Sequence, residues 1–108
     1  MTSYLVVESR DPFESHGFAR RCELAAALKA DGATVTVFLV ENGVMPARKS
    51  AASARLAELA KSGVEILADE FALRERGISR DRLIPEVKVA AIDAAVDRIA
   101  EGRKTLWN

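Results

Sequence analysis

Residues 34–40, TVTVFLV, constrain the fold more than any other part of the sequence. The run begins with β-branched residues in alternation and ends as a continuous apolar stretch. Such a run predicts a strand buried on both faces, which is typical of parallel sheets covered by helices. We therefore expect an α/β fold.

Shorter strand candidates and helical segments alternate around this run. The candidate strands are residues 4–7, 64–67, 87–89 and 105–107, and the candidate helices are residues 13–30, 46–61 and 91–100, with a short helix before Gly77. This alternation predicts a single domain over residues 1–108, a three-layer α/β/α sandwich with a mostly parallel sheet of about five strands. The gaps between strands are long enough for right-handed crossovers.

Two of the predicted helices carry an apolar stripe. At a spacing near 3.6 residues, the first stripe comprises Phe18, Cys22, Ala25 and Leu28, and the last comprises Ile92, Ala95, Val96 and Ile99. Asp31 and Gly32 end the first helix, because glycine adopts the left-handed conformation of a helix terminus.

The composition excludes several classes of protein. The chain has 108 residues with 16 basic and 16 acidic side chains. A net charge of zero argues against nucleic-acid or membrane partners, since both favour a basic excess. No apolar run approaches the roughly 20 residues needed to span a bilayer, and the first residues lack the basic segment of a signal peptide. With one cysteine and no intrachain disulfide, we expect a soluble cytoplasmic protein.

Residues 63–78, GVEILADEFALRERGI, resemble a segment of the DsrE/DsrF-like family of small sulfur-relay proteins. The resemblance extends over nearly the whole chain. Residues 25–39 are similar to the family's first helix, glycine turn and second strand, residues 41–44 to the following loop, and residues 83–107 to its last part. It implies a compact three-layer sandwich that assembles as trimers or hexamers.

The same segment departs from the family at the residue that carries its chemistry. Family members commonly have one or two cysteines before an x-x-x-R-G run, and the second carries sulfur as a persulfide. Counting back from Gly77 places Ala72 at that position and Asp69 at the first. The resemblance therefore implies a non-catalytic binding or assembly subunit of a sulfur-relay or related pathway. The alternative is an active sulfurtransferase or small-molecule enzyme that uses Cys22 or loop residues.

The loops after the strands are the candidate ligand site, because ligands of parallel sheets bind outside the carboxyl ends of the strands. Three loops qualify, residues 8–17, 41–45 and 69–72. The rim residues that we predict to bind a ligand are Ser9, Arg10, Asp11, His16, Glu41, Asn42, Asp69, Glu70 and Ala72.

Several of these residues also have a purely structural interpretation. Cys22 lies on an apolar helix stripe, which favours a buried, inert thiol. His16, the only histidine, is a proton shuttle, a single metal ligand or an exposed loop residue. Asp11 before a proline, and Asp69 before the short helix, are typical helix N-caps. One histidine and one cysteine argue against a zinc site, and with no nucleotide-binding motif we expect no cofactor.

A small sheet with open edges also favours association. We predict a homo-oligomer, a trimer or hexamer by the family resemblance, or contacts with sulfur-relay partners. The candidate contact residues are the alanine-rich residues 46–61 and the C-terminal Leu106 and Trp107.

Overall fold

A five-stranded parallel sheet organises the chain. The computed structural model describes residues 2–12, 17–50 and 52–107. The strands are β1 (Ser3–Glu8), β2 (Thr34–Leu39), β3 (Glu65–Asp69), β4 (Lys88–Ala90) and β5 (Lys104–Trp107). They lie in the order β4-β3-β2-β1-β5, and all four pairings are parallel. The predicted α/β class and the predicted strand number are therefore confirmed.

Helices cover both faces of this sheet. They are α1 (Gly17–Ala30), α2 (Ser53–Lys61), α3 (Glu70–Glu75) and α4 (Asp93–Ala100), with 3-10 turns at Glu41–Ala47 and Arg80–Arg82. The described part of α1 begins at Gly17, and the start predicted at residue 13 lies outside the described residues.

The helix predicted over residues 46–61 is shorter in the structure. Pro46 lies inside a 3-10 turn, and Arg48 has extended backbone angles. Arg48 forms an antiparallel bridge with Leu83, and this long-range pairing holds the chain out of the helical conformation. Helix α2 accordingly begins only at Ser53.

One face of the sheet is covered by the two helices α1 and α2. Phe18, Cys22 and Ala25 of α1 are buried there, as the periodicity predicts, and Leu28 is half-buried. Helix α2 adds Leu56 to the same cluster. Because two long helices share this face, it contains most of the buried apolar side chains of the described chain.

Among the described helices, α4 covers the opposite face. Leu5, Phe38 and Leu67 of the sheet are buried there together with Ala95 of α4. The other members of the predicted stripe point outward: Ile92 is 53% exposed, Val96 58% and Ile99 52%. Small side chains on the sheet side of α4 permit close approach, so its larger apolar residues face away from the sheet.

A polar network attaches α4 to the sheet. Arg98 donates to Glu65 Oε1 at 2.8 Å, and the Thr36 hydroxyl donates to the same oxygen at 2.8 Å. Arg103 in turn donates to Thr36 Oγ1 at 2.6 Å. Burial would raise the pKa of Glu65, but the hydrogen bonds from Arg98 and Thr36 outweigh it and hold that pKa below its usual value.

We expect the Glu65→Gln variant to lose less of its free energy of unfolding than the wild type when the pH falls from 7 to 3. A carboxyl with a lowered folded-state pKa stabilises the fold above its unfolded pKa, and this contribution disappears as the pH falls through the folded pKa. Because the pair is partly exposed, the free energy of unfolding at pH 7 should fall by less than about 1 kcal/mol. Urea unfolding at pH 7 and pH 3 measures both effects. Glu75→Gln, at an exposed side chain, is the control, and an equal pH response in both variants would contradict the assignment.

Candidate functional site

A cleft of about 640 Å³ opens at the carboxyl ends of β2, β3 and β5. Parallel sheets place ligand sites at this edge. Its lining consists of Val40, Glu41, Asn42, Asp69, Phe71, Ala72, Glu75, Arg76, Ile92 and Trp107. The cleft thus combines apolar walls with both acidic and basic groups.

The floor of the cleft is the junction between β3 and α3. Asp69 ends the strand, and its side chain accepts a hydrogen bond from the Ala72 amide at 3.1 Å. This confirms Asp69 as the N-cap of the short helix. Ala72 follows in the first turn and borders the cleft, but its side chain packs in the main buried cluster and the residue is only 2% exposed.

Arg76 connects α3 to the loop after β2. Its Nε donates to Asn42 Oδ1 at 3.0 Å, and its Nη1 donates to the Ala72 carbonyl at 3.1 Å. The guanidinium therefore lies beside Ala72. Arg76 was not among the predicted site residues, although its position four residues after Ala72 indicates that the two lie on one helix face.

Three large apolar side chains form the outer wall. Phe71 is 59% exposed and Trp107 is 65% exposed, and Ile92 stands between α4 and the cleft. Phe71 and Ile92 were not among the predicted site residues, and Trp107 was expected only as an oligomer contact. The strand and helix periodicity of the sequence does not predict that these three residues meet, because they belong to three segments that are distant along the chain.

The structure brings together four of the predicted rim residues. Glu41, Asn42, Asp69 and Ala72 line the cleft. Glu70 lines a separate, smaller cavity with Leu73. Ligand binding by the predicted rim residues stays a prediction.

The loop after β1 lies apart from the described lining of the cleft. Ser9 is half-buried and Arg10 is exposed, and the Arg10 amide donates to Glu8 Oε1 at 3.2 Å. Asp11 follows as part of the same segment. His16 lies outside the described residues, so its predicted role stays a prediction. Among the described residues, no group of three or more His, Cys, Asp and Glu could hold a metal ion.

The single thiol is remote from the cleft. Cys22 is buried between α1 and α2, near Arg55. Burial raises the pKa of Cys22 to about 12, against a smaller lowering by Arg55. The predicted burial is confirmed, and the thiolate that nucleophilic sulfur chemistry requires is disfavoured.

A family model for the DsrE/DsrF-like family matches residues 2–107. The chain belongs to this family. Its position 72, where the family resemblance places a sulfur-carrying cysteine, is therefore an alanine in the cleft of a DsrE/DsrF-like protein. No curated protein matches the chain at a significant level.

Solved structures show the same fold. The YchN protein of E. coli superposes with a TM-score of 0.91 at 20% identity, covering 100% of both chains. MTH1491 of Methanobacterium thermoautotrophicum, a protein of unknown function, gives 0.83 at 23% identity over 99% of this chain and 98% of that one. BT1422 of Bacteroides thetaiotaomicron, also of unknown function, gives 0.83 at 16% identity over 98% and 94%. In the described part of the chain, no helix has the length and apolar character to cross a membrane.

Proposed function

We propose that this DsrE/DsrF-like chain serves a sulfur-relay or related pathway in the cytoplasm as a non-catalytic binding or assembly subunit. Ala72 carries the proposal, because an alanine borders the cleft at the position where the family resemblance implies the sulfur-accepting thiol. Asp69, at the first cysteine position, is committed to capping α3. Neither side chain can form a persulfide.

The state of Cys22 supports the same proposal. A persulfide carrier must present a thiolate to its donor. Cys22 is buried between α1 and α2, and burial raises its pKa to about 12. At neutral pH this thiol remains almost wholly protonated, so it does not replace the missing cysteine.

The cleft itself supports a binding role. Its exposed aromatic wall, together with Arg76 and the carboxylates of Glu41 and Glu75, offers apolar and polar contacts to a partner. Arg76 is already oriented by Asn42 and the Ala72 carbonyl, so the polar edge of the cleft is preorganised. We propose that the chain works through such contacts in a homo-oligomer, a trimer or hexamer, or with sulfur-relay proteins.

We expect the native protein to resist both alkylation and sulfur transfer. In the folded chain, Cys22 should react with iodoacetamide at least about a hundredfold more slowly than after unfolding in urea, because it is buried and protonated. Incubation with a persulfide donor, followed by intact-mass measurement, should show no added sulfur.

Cys22→Ala is the matched variant for this experiment. It should keep the fold, at a cost of about 1 kcal/mol for the lost packing. Rapid stoichiometric labelling of the native protein, or one added sulfur atom that disappears in Cys22→Ala, would overturn the proposal in favour of an active sulfurtransferase.

A further inference from the structure

We propose that the outer surface of α4 binds the same surface of a second copy of this chain across a two-fold axis. This surface, called here the α4 surface, consists of Phe71, Ile92, Val96, Ile99 and Trp107. The inference rests on the proposed assembly role and assigns that role to a specific face.

The five side chains form one continuous surface. Ile92, Val96 and Ile99 follow each other at helical spacing along the exposed side of α4. Ile92 also lines the cleft with Phe71 and Trp107. Trp107 is paired in register with Val7, whose side chain belongs to the cluster beneath α4, so it lies on the same face of the sheet as α4.

The size of this surface fits an interface between proteins. Each of the five side chains is more than half exposed. Together they expose apolar area on the order of 600 Å², at the upper limit for the largest patch of an ordinary monomer. A standard interface buries roughly 800 Å² on each partner, so the α4 surface with its polar rim has the required area.

The spacing of the α4 residues fits a two-fold axis. Ile92 and Ile99 lie on opposite sides of Val96, four and three residues away. In an antiparallel pair of α4 helices, Val96 packs against Val96 of the second copy, and Ile92 packs against Ile99. An isologous interface requires this self-complementary arrangement, in which the contact of one residue with another is repeated in reverse.

The charges around the surface favour a neutral partner. Asp93 and Asp97 are exposed on α4, and Lys88 is exposed on β4. The rim thus offers charges of both signs, and the whole chain has no net charge to oppose self-association. A strongly acidic or basic partner would leave one sign unmatched.

This arrangement would also complete the cleft. Phe71, Ile92 and Trp107 belong both to the α4 surface and to the outer wall of the cleft. A second copy seated on them would cover the open side, so that Ala72 and Arg76 lie in a site shared between two chains.

The most specific test is a disulfide across the proposed axis. Val96→Cys, treated with a mild thiol oxidant, should give a covalent dimer in most molecules on a non-reducing gel. Two cysteines on a two-fold axis between packed helices come within the Cα separation that a disulfide needs. Leu24→Cys is the matched control, because Leu24 is exposed on α1 at the opposite face of the sheet and should give little dimer.

Mass and fluorescence measurements on the uncross-linked protein complete the test. Light scattering should give an even multiple of 11.7 kDa, and Val96→Glu should lower the mass. Trp107 is the only tryptophan, so its emission should move to longer wavelength when that variant dissociates. A wild-type monomer or trimer, the absence of the Val96→Cys dimer, or an unchanged mass for Val96→Glu would each overturn the proposal. These outcomes do not depend on sulfur uptake, which separately tests the proposed function.

Discussion

Replacing Ala72 by cysteine is expected to convert the chain into a sulfur acceptor. After incubation with a persulfide donor, Ala72→Cys should gain one sulfur atom per chain by intact mass, and the wild type should gain none. In this reaction the thiolate introduced at position 72 attacks the sulfane sulfur of the donor, and the donor leaves as its thiol, so the protein ends as a persulfide. The change restores the chemistry that the family resemblance assigns to this position.

The surroundings of Ala72 favour the thiolate. The Arg76 guanidinium is bound to the carbonyl of the same residue at 3.1 Å, and a neighbouring cation lowers a thiol pKa. The Asp69 carboxylate opposes this effect but is engaged with the Ala72 amide. Burial of position 72, which is 2% exposed, opposes the thiolate, so we expect Ala72→Cys to alkylate faster than Cys22 at pH 7, but by less than the roughly thousandfold difference between a Cys22 pKa of about 12 and an ordinary thiol pKa.

Two further variants test whether Arg76 lowers the pKa of the thiol at position 72. Ala72→Cys combined with Arg76→Gln should need a higher pH for half-maximal alkylation than Ala72→Cys alone. Leu24→Cys provides a reference for an exposed thiol outside the cleft. If Ala72→Cys stays as unreactive as Cys22, the alignment of position 72 with the family cysteine is wrong.

Gly43→Ala is expected to destabilise the protein strongly and to disturb the cleft. A Cβ at this position would lie 2.1 Å from the Glu8 carbonyl oxygen and 2.8 Å from its carbon. Both are backbone atoms at the end of β1, where the same oxygen accepts the Val40 amide at 3.0 Å. Neither the loop that contains Gly43 nor the end of β1 can shift without breaking the hydrogen bond between Val40 and Glu8. The free energy of unfolding should therefore fall by about 3 kcal/mol. Chemical unfolding measures the loss.

Gly32→Ala separates this contact from backbone strain. Gly32 has a φ of +95°, and an added Cβ would meet nothing within 4 Å. Its replacement should cost about 1 to 2 kcal/mol from the left-handed backbone alone. Displacement of the loop after β2 in Gly43→Ala should also move Asn42 away from Arg76. An equal or smaller loss than in Gly32→Ala would contradict the close packing of this loop on β1.

The layers of this protein could be predicted from its sequence. The buried run that became β2, the alternation of strands and helices, and the stripe of Phe18, Cys22 and Ala25 all depend on local periodicity, and periodicity follows directly from backbone geometry. The cap at Asp69 is equally local, because its partner is the amide three residues later. The same local pattern, with the family resemblance, predicts that Ala72 occupies the position of the family's sulfur-carrying cysteine.

The surfaces that these layers expose, and the residues that meet in the cleft, depend on long-range packing and could not be predicted from local patterns. The contact of Arg76 with Asn42 spans 34 residues, and the Arg48–Leu83 bridge shortens a helix that its own residues favour. The apolar stripe of α4 likewise predicts which side of the helix is apolar, but it does not predict what that side contacts. The outcome depends on how closely a helix can approach the sheet, and the small Ala95 allowed that approach while Ile92, Val96 and Ile99 remained outside. Which residues become buried or exposed depends on the packing of all these distant segments against one another, and no single segment determines it.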